Sequence, residues 1–549
     1  MKQSFLSRLS PRFQAVPASL KNDWQTVSLA LAVARAARAD PAQRPVVFFN
    51  ASTRIRGNSL NAAFSLLASW AVRLQGTPII HFVCQAGMSR CLQGTNGENV
   101  YQPMPCRLCR YQSRVNFTGA QVSPFRFHRD EALAAILQNL TLDELLHYEH
   151  PLPASWVPDS VSAVSLPLGA LVLPSVRWRL RRMTLADDEP TRFLVREFIL
   201  SAWNVAREFN GLLERSNPQA VIVFNGQLFP EATAYWLAQR RGIRTITHEV
   251  SMYPVSGFFT AGQATALPMP IANDFELSPE QNARLDELMQ NRFQGKFSMA
   301  GIRFFPEMKG LNETFLQKAA GFKQIVPVFT NVIFDTTQQH ANAFFADMFR
   351  WLDAVLEKAR QHPETLFVIR AHPDEARPGK TSLESVAMWV ERSGAAAVPN
   401  LVFIAPDQYL SSYELIRRSK FVMIYNSTIG LEASIMGVPV LCAGSARFTD
   451  FSTVFFPESR EAYLEQLEMF LSAGEVKILP EHICNSRRFF YFHYFIASLR
   501  FGDYLEPAAL RGFVTWKKFP LQALTSSASP SLCALVNDIL HQGNFLLKE

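Results

Sequence analysis

Short apolar runs alternate with longer amphipathic stretches along most of this chain. In the first half, Val46–Asn50 (VVFFN), Thr77–Cys84, Ala220–Phe224 (AVIVF) and Arg244–Thr247 predict buried strands, and Ser59–Leu74 and Pro230–Arg241 predict the helices between them. Helices are also predicted over Trp24–Ala39, over most of Asp130–Ser216 and through residues 276–320. A second series follows: Ile325–Thr330, Leu366–Ile369, Leu401–Ile404, Phe421–Tyr425 and Pro439–Cys442. Between its first two strands, Phe344, Phe345, Met348, Phe349, Leu352, Val355 and Leu356 keep a 3.6-residue period, which predicts a helix over Asn342–Gln361. Strands that alternate with helices build parallel sheets. The pattern therefore predicts two α/β domains of similar design.

The stretch Phe421–Gly444 is the most informative of these units. A strand (FVMIY) is followed by Asn426, Ser427 and Thr428, residue types that cap helix starts, then by a short helix over Ile429–Met436, a stop at Gly437 and a further strand. This is one parallel βαβ unit, and its helix start lies at the carboxyl edge of a sheet, where open α/β folds bind ligands. Two hydroxyls beside a helix start suit an anion. Glu432 stands four residues after Thr428, on the same helix face and within reach of a ribose. An ordinary capped helix with a surface Glu fits this stretch alone equally well.

Length and composition narrow the class. The chain has 549 residues, 48% hydrophobic and 18% charged, with a net charge of +7, which fits a multi-domain globular protein with acidic ligands. Nucleic acid is a poor fit and is not expected as a partner, because no basic, aromatic-interleaved surface motif accompanies this modest excess. No secretory signal core and no uncharged apolar stretch of about 18 residues are found. The expectation is a cytoplasmic chain with reduced cysteines, in at most peripheral contact with the inner face of the membrane. The aromatic and basic run Ser486–Leu505 has two readings: a segment that packs back on the first domain, or a peripheral membrane patch.

Three further sets of residues carry chemistry. Cys84, Cys91, Cys106 and Cys109 are spaced C-x6-C-x14-C-x2-C, which fits either a structural zinc site or small buried thiols that ligate nothing. His372-Pro373 follows a strand directly, and the proline stiffens the turn that holds the imidazole. Arg370 and Lys380 lie near it in sequence as basic candidates. In the first half, Asn225, His248 and Glu249 fall at predicted strand ends.

IRAHPDE (369–375), FIAPDQYLSSYELI (403–416), YNSTIGLEASIMGVPVLCAG (425–444) and VPVFTNVIFD (326–335) resemble the nucleotide-binding half of bacterial capsule and surface-polysaccharide glycosyltransferases. That group includes the capsule Kdo transferases and shares a His-Pro plus Ser/Thr arrangement with bacterial sialyltransferases. The resemblance implies a GT-B architecture, two Rossmann-like domains facing across a cleft. The expected divisions are 1–315 (acceptor side, carrying the cysteines), 316–480 (nucleotide-sugar side) and 481–549 (a tail returning to the first domain). It further implies that His372, Pro373, Arg370, Asn426, Ser427 and Thr428 hold the donor phosphate, with Glu432 at the ribose. A carboxylate from the first domain would deprotonate the acceptor hydroxyl, with Glu249 chosen ahead of Glu231 and His248. The implied activity is inverting transfer of a sugar, Kdo or a related acidic sugar from a CMP donor, to a capsule glycan or glycolipid, without a catalytic cofactor and near capsule assembly proteins. Two alternatives stay open: a CDP-polyol-phosphate transferase, and a non-catalytic scaffold that binds nucleotide or glycan.

Overall fold

The computed structural model describes residues 11–51, 55–156, 164–295, 309–336, 338–377, 381–408, 410–509 and 512–549. The first sheet is built on five parallel strands: β1 (Val46–Asn50), β2 (Ile79–Cys84), β3 (Val122–Phe125), β4 (Ala220–Phe224) and β5 (Thr245–Val250). A sixth strand, β6 (Ser256–Thr260), turns back antiparallel on β5. The second sheet is wholly parallel: β7 (Gln324–Phe329), β8 (Thr365–Arg370), β9 (Leu401–Ile404), β10 (Val422–Ile424) and β11 (Val440–Cys442). Its order is β9-β8-β7-β10-β11, and the parallel part of the first sheet repeats it as β3-β2-β1-β4-β5. In each sheet the chain starts at the centre, winds to one edge, then returns to wind the other way. That is the Rossmann-like arrangement, and it leaves a crevice where the winding reverses, between β1 and β4 and between β7 and β10.

Both faces of each sheet are covered, because alternate strand residues point to opposite sides. The helices in chain order are α1 (Pro11–Ala36), α2 (Leu60–Leu74), α3 (Cys106–Asn116), α4 (Leu168–Leu180), α5 (Glu189–Ser216), α6 (Glu231–Arg240), α7 (Pro279–Phe293), α8 (Met348–Gln361), α9 (Ile429–Ile435), α10 (Arg460–Ser472), α11 (Pro480–Tyr491) and α12 (Pro530–His541). On β1, Val47 and Phe49 meet α4–α6, while Val46 and Phe48 meet α1, α2 and α12. On β8, Phe367 and Ile369 meet α8 and α10, while Leu366 and Val368 share a core with α7, α9 and α11.

The core contacts of α7 place it with the second domain: Leu285 and Met289 pack among residues of β8 and β10. The chain therefore crosses over before residue 315, the boundary expected from sequence. Contacts between the domains include the Glu384 carboxylate, which accepts from the Met183 and Thr184 N–H groups at 2.9 and 2.8 Å. Gln227 also meets His340 across the cleft.

The tail runs through both domains. Helix α11 packs on the second, one wide turn follows at Phe492–Ile496, and strand β12 (Leu499–Arg500) pairs antiparallel with β6 at the edge of the first sheet. Phe489, Phe490, Tyr491, Phe492 and Phe495 are all buried. This corrects the membrane-patch reading of Ser486–Leu505, which needs those rings on the surface. Among the described residues, no helix is long and apolar enough to cross a membrane.

Candidate functional site

The carboxyl ends of β7, β8, β10 and β11 open into one cavity of ≈ 860 Å³. Its lining includes Asn331 after β7, His372 after β8, Asn426, Ser427 and Thr428 after β10, and Arg447 after β11. The imidazole and the two hydroxyls thus meet in a space open to solvent, and each of the three residues is half-buried.

Each of these groups has a defined state. The Nδ1 of His372 accepts the Asp374 backbone N–H at 3.2 Å, which leaves the neutral ring's proton on Nε2. Burial holds the imidazole below its ordinary pKa, against the opposing pull of Asp374 and Asp335. At neutral pH His372 is a hydrogen-bond donor and carries no positive charge. Thr428 opens α9 with helical angles (φ −63°, ψ −14°), so its side chain makes no capping bond; a capping side chain needs an extended backbone to reach back to the first turn. Among the described residues the Ser427 and Thr428 hydroxyls have no side-chain hydrogen bond, and both remain available to a ligand. Asn426 plays a different part: its backbone N–H donates to Asn331 Oδ1 at 3.4 Å, and its Oδ1 accepts from Gln338 at 3.0 Å. Its amide oxygen therefore ties down the loop at the reversal point.

The positive charge comes from a residue the sequence reading missed. Arg447 is half-buried, and among the described residues its guanidinium has no hydrogen-bond or ion-pair partner. Burial lowers its pKa to about 10, opposed by the fields of Asp335 and Glu249, so it stays charged at neutral pH. The signal was present in GSARF, the loop directly after the strand Val440–Cys442 and at the same sheet edge as His372.

Two expected donor ligands are occupied elsewhere. Arg370 is buried at the end of β8 and donates to the Ala405 and Gln408 carbonyls. Glu432 is 2% exposed and is absent from the cavity lining. Its carboxylate pairs with Arg292 of α7 at 2.5 Å and accepts the Tyr413 hydroxyl. Glu432 therefore joins α9 to α7 and does not face a ribose. Pro373 lies half-buried in the turn after His372, and Lys380 lies outside the described residues.

The cavity continues toward the first domain as a space of ≈ 470 Å³, and Asp335 and Arg447 line both parts. Glu249, Glu231 and His248 line this side. Glu249 is half-buried, and Asn61 and Asn225 donate to its two oxygens at 2.8 and 3.0 Å, with the Val250 N–H adding a third bond at 2.8 Å. His248 is 1% exposed and stacked on Phe259, and burial pushes it down to about 3, too low for a base at neutral pH. Glu231 is buried at the first residue of α6. Of the three, Glu249 is the carboxylate held in a fixed orientation across from Arg447.

The four cysteines line a separate cavity that adjoins the first-domain side of the cleft at Gln93. All four are half-buried, no disulfide joins them, and they line one cavity of ≈ 30 Å³. Among the described residues no three metal-ligating side chains already stand in coordinating positions.

Residues 312–451, which span the second sheet, match a family model described as capsule polysaccharide biosynthesis protein. No curated protein sequence matches the chain. Among solved structures, the KpsC β-Kdo 2,4 transferase of Thermosulfurimonas dismutans is similar at 11% identity and a TM-score of 0.34, over 56% of this chain and 87% of that one. The β-Kdo 2,7 transferase of the same KpsC is similar at 13% identity and a TM-score of 0.32, over 56% and 85%. The UDP-GlcNAc 2-epimerase of Neisseria meningitidis, bound to UDP-GlcNAc, is similar at 12% identity and a TM-score of 0.23, over 81% and 98%.

Proposed function

We propose that this chain is an inverting glycosyltransferase of capsule or surface-polysaccharide synthesis, working in the cytoplasm on a nucleotide-activated sugar. One observation carries the reading: a charged, unpartnered arginine, a fixed imidazole N–H and two available hydroxyls line one cavity at the reversal point of the second sheet. Such a set binds a phosphate, and the family match over the same residues gives that phosphate a context. In the proposed reaction Glu249 takes the proton of the acceptor hydroxyl as that oxygen attacks the anomeric carbon. The bond from sugar to phosphate breaks, and Arg447, His372, Ser427 and Thr428 receive the charge on the departing nucleotide. Arg447 fills the place a divalent cation would take, so transfer is expected to persist in EDTA. A CMP-linked acidic sugar such as Kdo is the proposed donor, and a glycan or glycolipid the acceptor.

Thermal-shift titration with CMP, CDP, UDP and GDP is the first test, and stabilisation by one of them is expected. Arg447→Ala should weaken that nucleotide about 10- to 100-fold, since a hydrogen-bonded charge contributes about 1.5–3 kcal/mol. Glu249→Gln should keep nucleotide affinity and lose turnover, both transfer and the slow donor hydrolysis that a mere binding scaffold would never show. Failure of all four nucleotides to bind overturns the site, and full turnover by Glu249→Gln removes the assigned base.

A further inference from the structure

We propose that Cys84, Cys91, Cys106 and Cys109 bind one Zn²⁺ ion as a structural site of the first domain, separate from the residues assigned to the nucleotide and the acceptor. The four residues come from three places: the end of β2, the loop that follows it, and the first turn of α3. They converge on a single cavity of ≈ 30 Å³, ample for one ion. Its other walls are mostly apolar, with Ala51, Ile55, Met88 and Met104 among them, and carry Gln93 and Arg110 as polar members.

Burial by itself favours the neutral thiols of Cys84, Cys91 and Cys106, and two further features work the other way. The Gly87 N–H donates to Cys84 Sγ at 3.1 Å and the Gly94 N–H to Cys91 Sγ at 3.2 Å, each from three residues downstream. Backbone donors of this kind are the outer-shell bonds that orient metal-bound ligands and offset their charge. Both donors are glycines for a steric reason: a Cβ on Gly87 would run into Phe125, and one on Gly94 would lie 3.1 Å from the Cys91 sulfur itself. The second feature is charge. Arg90 and Arg110 lie within electrostatic reach of Cys106, and Arg179 within reach of Cys91. Each guanidinium also donates elsewhere, Arg90 to the Ser89, Val100 and Tyr101 carbonyls, Arg110 to Gln85 and Arg179 to Leu92. Their charge would in addition favour a zinc ion with four thiolates, whose net charge is about −2.

In the structure the sulfurs surround the cavity without standing at coordinating distances, so binding requires their side chains to turn inward. The step is acid–base and not redox: four S–H protons leave, four Zn–S bonds form, and nothing is oxidised. The metal would fasten the start of α3 to the end of β2 beneath the loop between them.

The test uses the full chain, purified with a thiol reductant from zinc-replete cells. Elemental analysis should find one zinc per chain. Replacement by Co²⁺ should give the d–d and sulfur-to-cobalt absorption of tetrahedral thiolate coordination. Cys84→Ser and Cys109→Ser should each lose the metal, while Cys484→Ser and Cys533→Ser, at exposed positions, should retain it. Should the serine variants fail to fold, the cobalt spectrum and stoichiometry of the unaltered chain decide the matter. Less than a tenth of a metal per chain with no cobalt spectrum overturns the proposal, as does iron in place of zinc. Nucleotide affinity is a separate readout, so failure here leaves the transferase reading untouched.

Discussion

Glu432 shows what residue-level reasoning can miss. Its spacing from Thr428 placed both on one helix face, but no local pattern reveals that this face meets α7. Arg292 and Tyr413 wait there, 140 and 19 residues away in sequence. Removing one partner of a buried pair leaves the other charge unsatisfied, at about 3–5 kcal/mol. Glu432→Gln should therefore lower the unfolding midpoint strongly with no nucleotide present; a ribose ligand would leave the ligand-free melt unchanged. His372, Ser427 and Thr428 were legible because each follows an apolar run directly. Arg447 holds the same kind of position after Val440–Cys442 and was missed, because nothing in GSARF distinguishes it from an ordinary loop cation until the fold brings it into the cavity with His372. Glu375, in the same turn as His372, supplies a pH test. Burial raises its carboxyl to about 8 from an ordinary 4.5. Between those values the unfolded chain has released the proton while the folded chain keeps it, so stability falls as pH rises through this window and levels off above it. Glu375→Gln should flatten that part of the curve, as read by denaturant unfolding at pH 5, 7 and 8.5.

At the scale of elements the sequence showed all five strands of the second sheet but not β3, β6 or β12 of the first, and it was a weaker guide to the ends. The helix expected from Asn342 begins at Met348, where Asp347 caps it by accepting the Arg350 N–H at 2.9 Å. The strand expected to stop at Thr247 runs on to Val250, because β6 folds back and pairs with it from Thr247 to Val250. His248 and Glu249 thus sit inside a strand, held by a partner that the local pattern could not show. Helix α9 depends on a different constraint. Gly430 lies against the sheet, and a Cβ there would strike Ile424 and crowd Val440 at 3.2 Å. Gly430→Ala should push the helix outward, costing about 1–3 kcal/mol as other overpacked sites do. Because Ser427 and Thr428 begin that helix, nucleotide affinity should fall as well, and calorimetric titration beside a melt would register both losses.

For the molecule as a whole, the repeated strand order was foreshadowed by two series of apolar runs, and the cleft between the domains follows from it. The course of the tail was legible only as one of two readings, since an aromatic run looks alike whether it faces lipid or a protein core. Phe490 settles its own case: it is fully buried between the second domain and the tail. Phe490→Ala should cost about 3–5 kcal/mol in denaturant unfolding and leave liposome flotation unaltered. A membrane anchor would show the opposite pattern.

The strand β12 closes the edge of a sheet whose other members were laid down some 240 residues or more earlier, at β6 and before. During synthesis the outer edge of β6 stands open until β12 has been made. The first domain therefore completes its sheet only after the second has been synthesised. Through the whole of the second domain's translation that edge is a template on which another strand can pair.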